Sequence, residues 1–450
     1  MHDDKRPQAS NYWDGSRVAR PLSPPLAENI SVDVAIIGAG YTGLSTAFHL
    51  KTAAPSLDVA VLESDGIGSG ASGRNGGFVM TLFGASAGLM KLLHGGARVR
   101  EAHAFMQRCI SELEAFIAAH DVDCDYTRSG FLKVATSPRY AARIRDEIAM
   151  FEKLGIGGHR WLDRGELAQR VRSPTFLGGC VETGSGLLNP RKWVDALATL
   201  AVASGARIYE RSPVTDVRRI GGKFRVLCNG VAVRADKVVF ATNGYTQRIP
   251  GMGSKQLPAC VFIVVTAPLT AEQRASIGWD GREGIEDGRN FMHFYRLTPD
   301  NRLLMGGGPG FVPYGGRLPQ DASPAAWQHL EQFIGATFPA LRGIPIDHRW
   351  GGAFSVTLDS TPQIGTLYGG AAAYSVGCTG HGVAMTHMNG RILRDLVLGQ
   401  RTELTEMWFV NRRALPLPPD PLRSLGAKAV TAAMAIDDWW CDRSPHETTE

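Results

Sequence analysis

What this 450-residue chain lacks narrows it first. It has no C-x-x-C pair and no H-E-x-x-H, so zinc-site chemistry finds no support and no metal centre is expected. Its seven cysteines (Cys109, Cys124, Cys180, Cys228, Cys260, Cys378, Cys441) are odd in number and dispersed. That pattern suits reduced thiols in a cytosolic protein better than a disulfide framework. The longest apolar stretches, such as Val261–Val265, fall far short of the roughly 18 residues of a membrane helix. The first thirty residues are polar, with Pro24 and Pro25, and carry no apolar signal segment. A net charge of +5 without a Lys/Arg block makes nucleic acid a poor partner. The cytoplasm is the expected compartment, no membrane partner is expected, and the oligomeric state is left open.

What is present suits two domains of ordinary globular composition, with 44% hydrophobic residues supplying a large core. Asp33–Ile37 is a β-branched run that reads as a buried strand, Thr42–Ala54 as a helix and Asp58–Leu62 as a second strand. This β-turn-α-β unit builds parallel, doubly wound α/β sheets. Helices are predicted over Arg98–Ala119, Ser137–Leu154 and Asn189–Ser204, with Arg128–Thr136 as an edge-bearing strand pair. Gly205–Val217, Lys223–Val231 and Lys237–Ala241 read as strands. Pro258–Pro268 and Phe291–Met305 are β-rich, with Pro299-Asp300-Asn301 as a hairpin turn. Glycine-rich loops are predicted from Trp350, then an amphipathic helix Val383–Leu398 stopped by Gly399, and one short tail helix near Ala427–Ile436.

The chemistry begins at Gly38-Ala39-Gly40-Tyr41-Thr42-Gly43, between a predicted strand and a predicted helix. Gly38 permits the tight turn, Gly40 lets backbone approach a pyrophosphate, and Gly43 lets helix and strand pack closely. The helix N-terminus offers free N–H groups and a positive dipole end to phosphate. Glu63, with Ser64 beside it, ends the second strand twenty residues after Gly43, where a carboxylate receives ribose hydroxyls. Strand, turn, helix, strand and acid agree on dinucleotide binding. The next segment holds Gly70, Ala71, Ser72, Arg74, Asn75, Gly76 and Gly77, all backbone or side-chain donors able to run beside a cofactor. Its competing reading is a solvated Gly/Ser loop.

Together Ile37–Gly43, Glu63 and Gly70–Gly77 resemble the D-amino-acid-oxidase superfamily of flavoproteins. Asn11-Tyr12-Trp13, Tyr295–Thr298 and Gly306-Gly307 are similar to the gamma-glutamylputrescine oxidase-like amine oxidases within it. The likeness runs from about residue 11 to 400. It implies a Rossmann-type FAD domain built from 1–83, 177–251 and 347–450, with a β-sheet substrate domain (α+β) from 84–176 and 252–346. It makes Ala241, Thr242 and Asn243 part of a second cofactor turn. Val214 becomes either the backbone that reads the adenine edge or a plain core strand residue. Gly377-Cys378-Thr379-Gly380-His381-Gly382, followed by Val383, is similar to the family's flavin-facing G-x-x-G-H-G, where a positive helix end stabilises the reduced flavin anion. The cysteine that carries covalent flavin in some relatives would fall within Trp350–Asp359; none is there, so FAD is expected to be noncovalent.

The reaction so implied is oxidation of a C–N bond in a small amine by hydride transfer to flavin N5, then imine hydrolysis, with O2 or another acceptor taking the electrons. Gamma-glutamylputrescine or a related polyamine derivative is the first choice; sarcosine, glycine or an opine-like N-substituted amino acid is the alternative. Three residues are candidates for contact with substrate or flavin. His381 either donates to the flavin, orients the loop or acts as base; Tyr295 is either a substrate wall or core packing; Arg296 either clamps a substrate carboxylate or forms a domain salt bridge. No counterpart of the oxygen-activating lysine of sarcosine-oxidase-like relatives stands among Gly306–Gly316. Two other classes compete: a nicotinamide-dependent dehydrogenase, disfavoured by glycine motifs recurring at 38, 241 and 380, and a flavin scaffold without turnover.

Overall fold

In the computed structural model, residues 9–20, 23–84, 86–249, 252–311 and 322–443 are described. The apolar strand Ile30–Ile37 pairs in parallel with Val231–Phe240 on one side and Val59–Leu62 on the other. Arg207–Tyr209 extends the sheet beyond Val59–Leu62, and Ala372–Val376 extends it beyond Val231–Phe240. Helices cover one face of this sheet and further strands the other, so its central strands are buried on both faces and need no polar alternation. Val34 and Ile36 point into a core shared with the helices Tyr41–Ala53, Gly96–Ala119, Pro190–Ala203 and Gly382–Leu398. Val32, Ala35 and Ile37 point into the opposite core, closed by Phe224, Val226 and Val233. Helices Tyr41–Ala53 and Gly382–Leu398 cross closely: a Cβ on Gly390 would stand 2.3 Å from Ser45 Oγ, which itself donates to the His387 carbonyl at 2.8 Å.

A second eight-stranded sheet runs in the order Ile346–Val356, Leu257–Thr266, Leu303–Phe311, His293–Leu297, Gly284–Asp287, Phe131–Ala135, Gly178–Glu182, His159–Asp163. One face packs on the helix Pro324–Thr337 through Leu132, Val134, Ile285, Tyr295 and Met305. The hairpin His293–Leu297/Leu303–Phe311 is the expected one, with Asn301 in its turn at φ +61°. Among the described residues no helix is long and apolar enough to cross a membrane.

Several expectations are corrected. Arg128–Thr136 holds one strand, Phe131–Ala135, and it is interior: its neighbours are Gly284–Asp287 and Gly178–Glu182. Those partners lie far along the chain, so no local turn announced them. The glycine-rich stretch from Trp350 is largely strand, Ile346–Val356, followed by the hairpin Gln363–Leu367/Ala372–Val376. The tail helix spans Leu422–Asp442, not ten residues. It is anchored by Asp437 to Arg143, by Asp438 to Tyr140 and by Asp442 to Arg289, contacts invisible to local periodicity. The two sheets also cut across the expected boundaries. Gly178–Glu182 and Ile346–Val356 pair in the second sheet, while Gly96–Ala119 packs on the core of the first.

Burial holds eight described histidines below their ordinary pKa. His387 is the deepest case, 2% exposed and packed 4.4 Å from the Phe116 ring, which brings it to about 3. The unfolded imidazole takes a proton near pH 6.5 and the folded one does not, so stability is lost as pH falls below about 6.5. At pH 5 His387 alone costs about 2 kcal/mol. Glu286, raised by burial to about 7, and Glu63, also raised by burial, act in the opposite sense, but they are two groups against eight. Thermal melting at pH 7.5 and pH 5 should therefore show a lower Tm at pH 5. The drop should shrink in His387→Gln.

Candidate active site

The carboxyl ends of Ile30–Ile37, Val59–Leu62, Val231–Phe240 and Ala372–Val376 lie side by side, and the three glycine motifs leave from them. Gly38, at φ +105°, sits so close to the second turn that a Cβ would be 2.6 Å from the Ala241 carbonyl oxygen. A Cβ on Gly43 would lie 1.9 Å from the Gly38 oxygen, so only glycine closes this turn. Gly40 is the N-cap of Tyr41–Ala53 with no side-chain cap, and the Tyr41 N–H donates to Ser72 Oγ at 3.0 Å. Thr42 follows in the first turn. Glu63 is buried and accepts from the Ala39 N–H at 2.8 Å, the Asp65 N–H at 3.1 Å and the Ser64 hydroxyl at 3.2 Å. Burial still raises its pKa against those bonds.

The Gly70–Gly77 segment is not a solvated loop. Asn75 Nδ2 donates to the Ala71 and Ser72 carbonyls at 3.1 Å each, and its Oδ1 accepts from the Gly77 N–H at 2.8 Å. Four side chains from elsewhere hold its other carbonyls. Asn11 Nδ2 reaches Gly73 at 2.9 Å, Trp13 Nε1 reaches Asn75 at 2.9 Å, Trp350 Nε1 reaches Arg74 at 2.8 Å, and an Arg296 Nη reaches Gly76 at 3.2 Å. Arg74 returns a bond to the Gly351 carbonyl at 3.1 Å.

The second and third turns are pinned to each other. Ser355 Oγ donates to Asn243 Oδ1 at 2.6 Å and accepts from the Gly377 N–H at 2.7 Å. Thr242 bonds Thr246 through their hydroxyls at 2.8 Å. His381 is the N-cap of Gly382–Leu398 and offers that helix no side-chain cap; Gly380 before it takes φ +85°, and Val383 after it is buried. The His381 Nδ1 is buried with no partner among the described residues. Burial pulls the ring down to about 4 against the Gly84 and Thr379 carbonyls, so it is neutral at pH 7. Val214 is a half-buried strand residue opposite Cys228, packed on the outer core of the first sheet, two residues after Ser212, whose N–H donates to the Glu63 carbonyl at 2.7 Å.

Two substrate-side expectations need correction. Strand alternation turns Tyr295 away from the glycine turns: it is fully buried, stacked at 6.5 Å on Phe176 and edge-on to Trp279 and Phe338. Its neighbours Phe294 and Arg296 face the cofactor loop instead. Arg296 forms no domain salt bridge among the described residues: its Nη1 donates to the Gly76 and Leu188 carbonyls and its guanidinium lies over the Trp13 ring. Burial without a carboxylate lowers it to about 10. It braces the loop. The sequence reading also passed over Ser355, and it noted Trp13 and Trp350 only as part of a resemblance; an indole N–H far along the chain carries no local signal of the carbonyl it will meet. Residues 312–316 of the segment searched for an oxygen-activating lysine lie outside the described residues.

Against the same face lies a small cavity, partly open to solvent, between Met80–Phe83, the helices Gly96–Ala119 and Pro138–Lys153, and the second sheet. Three carboxylates line it, Glu147, Glu182 and Glu286, against one ammonium, Lys133. Lys133 Nζ bonds Glu147 at 2.7 Å and stands 3.9 Å from Glu286. His103 on its wall is held by burial at about 4 and adds no positive charge at pH 7. Both Gly84, next to Phe83, and the Lys133 charge act on His381, so the cavity adjoins the third glycine turn.

Over 411 residues the chain is 32% identical to gamma-glutamylputrescine oxidoreductase of Escherichia coli (strain K12), covering 91% of this chain and 93% of that one. It is 24% identical to glycine oxidase of Geobacillus kaustophilus (strain HTA426), covering 82% and 94%. The crystal structure of glycine oxidase from Geobacillus kaustophilus superposes with a TM-score of 0.73 at 20% identity, over 86% of this chain and all of that one. L-proline dehydrogenase from P. horikoshii gives 0.69 at 19% identity, over 86% and 97%. Likeness at that identity speaks for the fold. Residues 33–396 match the DAO family, described as FAD dependent oxidoreductase. With its three glycine turns gathered at the carboxyl ends of one parallel sheet, the chain belongs to the DAO family of FAD-dependent oxidoreductases.

Proposed function

We propose that this enzyme oxidises the C–N bond of a cationic amine of the gamma-glutamylputrescine type, with O2 as acceptor. The observation that carries the reading is the cavity beside His381, whose wall holds three carboxylates and a single lysine already bonded to Glu147. Such a wall suits an ammonium and, among the described residues, leaves no free cation for a carboxylate on the carbon being oxidised. The resemblance to the Escherichia coli enzyme points the same way.

Gly38–Gly43 and the uncapped N-terminus of Tyr41–Ala53 would receive the pyrophosphate, Glu63 the ribose, and the N-terminus of Gly382–Leu398 the pyrimidine edge of the flavin. The cradle fits on steric grounds, because a Cβ at Gly40 would stand 2.8 Å from Ser72 Oγ and close the approach to the backbone. Bound FAD supplies the hydride acceptor, N5 of its ring system. The protein orients the amine and excludes water from the reacting carbon. The neutral His381 ring serves as a donor or acceptor to the flavin and cannot hold a proton at pH 7. The first sheet would thus carry the cofactor and the second would wall the substrate. FAD is held noncovalently: Cys378, the cysteine nearest the third turn, is pushed up by burial and is a poor nucleophile.

Three outcomes are expected. Anaerobic mixing with an amine panel bleaches the flavin fastest with gamma-glutamylputrescine; bleaching by sarcosine or glycine alone overturns the substrate reading, and the return of colour in air measures the oxygen reaction. Acid precipitation releases all the yellow colour to the supernatant, whereas a yellow pellet means a covalent bond. Trp350→Phe, which keeps the ring and removes the donor to Arg74, weakens FAD binding by about 1 kcal/mol, roughly fivefold in Kd by titration of the apoprotein.

A further inference from the structure

Resting on the amine reading above, we propose that Glu286 receives the ammonium of the incoming substrate and takes up its proton, leaving the nitrogen neutral for oxidation. An amine cannot lose hydride from its carbon while the nitrogen lone pair is tied up as N–H. The pair must be freed inside the protein, and the question is where the proton goes.

Of the three carboxylates in the cavity, one is committed and a second is held through one oxygen, its Oε2 buried without a partner among the described residues. Glu147 takes the Lys133 ammonium at 2.7 Å, and Glu182 Oε1 takes the Gly184 N–H at 2.6 Å. Glu286 forms no hydrogen bond among the described residues; its nearest cation is Lys133 at 3.9 Å, although the residue is only 5% exposed. A carboxylate so buried and so poorly satisfied is costly unless a ligand completes it. It is also the best placed. It pairs across the sheet with Phe294, and a Cβ on Gly76 of the cofactor loop would be 3.0 Å from the Phe294 ring. Three orphaned polar atoms line the same space, Glu182 Oε2, His103 Nε2 and Ser185 Oγ, so the cavity is unsatisfied as it stands.

The groups facing Glu286 set its affinity for a proton. Burial raises it, Lys133 pulls it down, and Glu147 and then Asp287 push it up, to about 7 in all. His103, His159, Cys180 and Glu182 complete the wall. A primary ammonium titrates near about 10.4 in water. Desolvation in the cavity and the neighbouring Lys133 charge lower that value toward the carboxylate's. In the transfer an N–H bond breaks, an O–H bond forms on Glu286, and the electron pair stays on nitrogen. The carboxyl then returns its proton to solvent through the open side of the cavity.

The test uses FAD-loaded enzyme and gamma-glutamylputrescine, with kcat/KM followed from pH 5.5 to 10. Wild type should show an acid limb centred near pH 7. Glu286→Gln, with FAD content and Tm matching wild type, should lose at least about 10²-fold in kcat/KM at pH 7. Its rate should then climb tenfold per pH unit, because only amine already neutral in solution is used. A binding readout separates this role from a merely structural one. A tert-alkyl amine has no hydrogen to lose, and its Kd, read from the flavin spectrum, should tighten through pH 7 in wild type and stay flat in Glu286→Gln. A wild-type profile without a group near pH 7, or a variant that keeps the wild-type profile, overturns the proposal even if Glu286→Gln folds poorly, since the first needs no variant. If wild type bleaches with no amine at all, the amine reading has failed instead.

Discussion

A backbone segment rich in glycine has many N–H and C=O groups and few side chains to shield them, and buried polar backbone must find partners. The Gly70–Gly77 loop meets that demand with donors drawn from three distant regions, Asn11 and Trp13, Trp350, and Arg296, and with its own Asn75. These bonds fix the loop against the first glycine turn, where Ser72 caps the Tyr41 N–H. They also join the two sheets, because Trp350 and Arg296 belong to the second sheet and Gly38–Gly43 to the first. The cofactor cradle is therefore an interface, built only when both sheets are in place.

The same interface explains the charge in the cavity. Arg296 and Lys133 point to the same side of the second sheet, but Arg296 is spent on carbonyls and Lys133 on Glu147. What remains free is negative. The pocket wall carries carboxylates and histidines that burial holds below their ordinary pKa. The third glycine turn is neutral as well, since burial holds the His381 ring at about 4.

Much of this was legible in the chain. The run Asp33–Ile37, the Gly38–Gly43 spacing and Glu63 predict a strand, a turn and an acid, and each lies where the local pattern put it, because all of these are short-range requirements of one βαβ unit. The hairpin at Asn301 was equally local. Roles that depend on facing were not legible. Tyr295 and Arg296 are neighbours on one strand; alternation separates them, and only the sheet's packing against Pro324–Thr337 decides which faces the core. Phe131–Ala135 was mistaken for an edge because its partners are supplied from residues 178–182 and 284–287.

The sequence by itself determined the nucleotide-binding unit and the family, since glycines required by close backbone approach leave a spacing that survives without any knowledge of partners. The tertiary structure alone decided which polar groups are consumed and which are left over. Glu147, Glu182 and Glu286 read alike in the chain; one is neutralised by Lys133, one is held through a single oxygen by a backbone N–H, and one faces the cavity with no hydrogen bond among the described residues. That distinction arises from distance and dielectric, which only the folded arrangement sets.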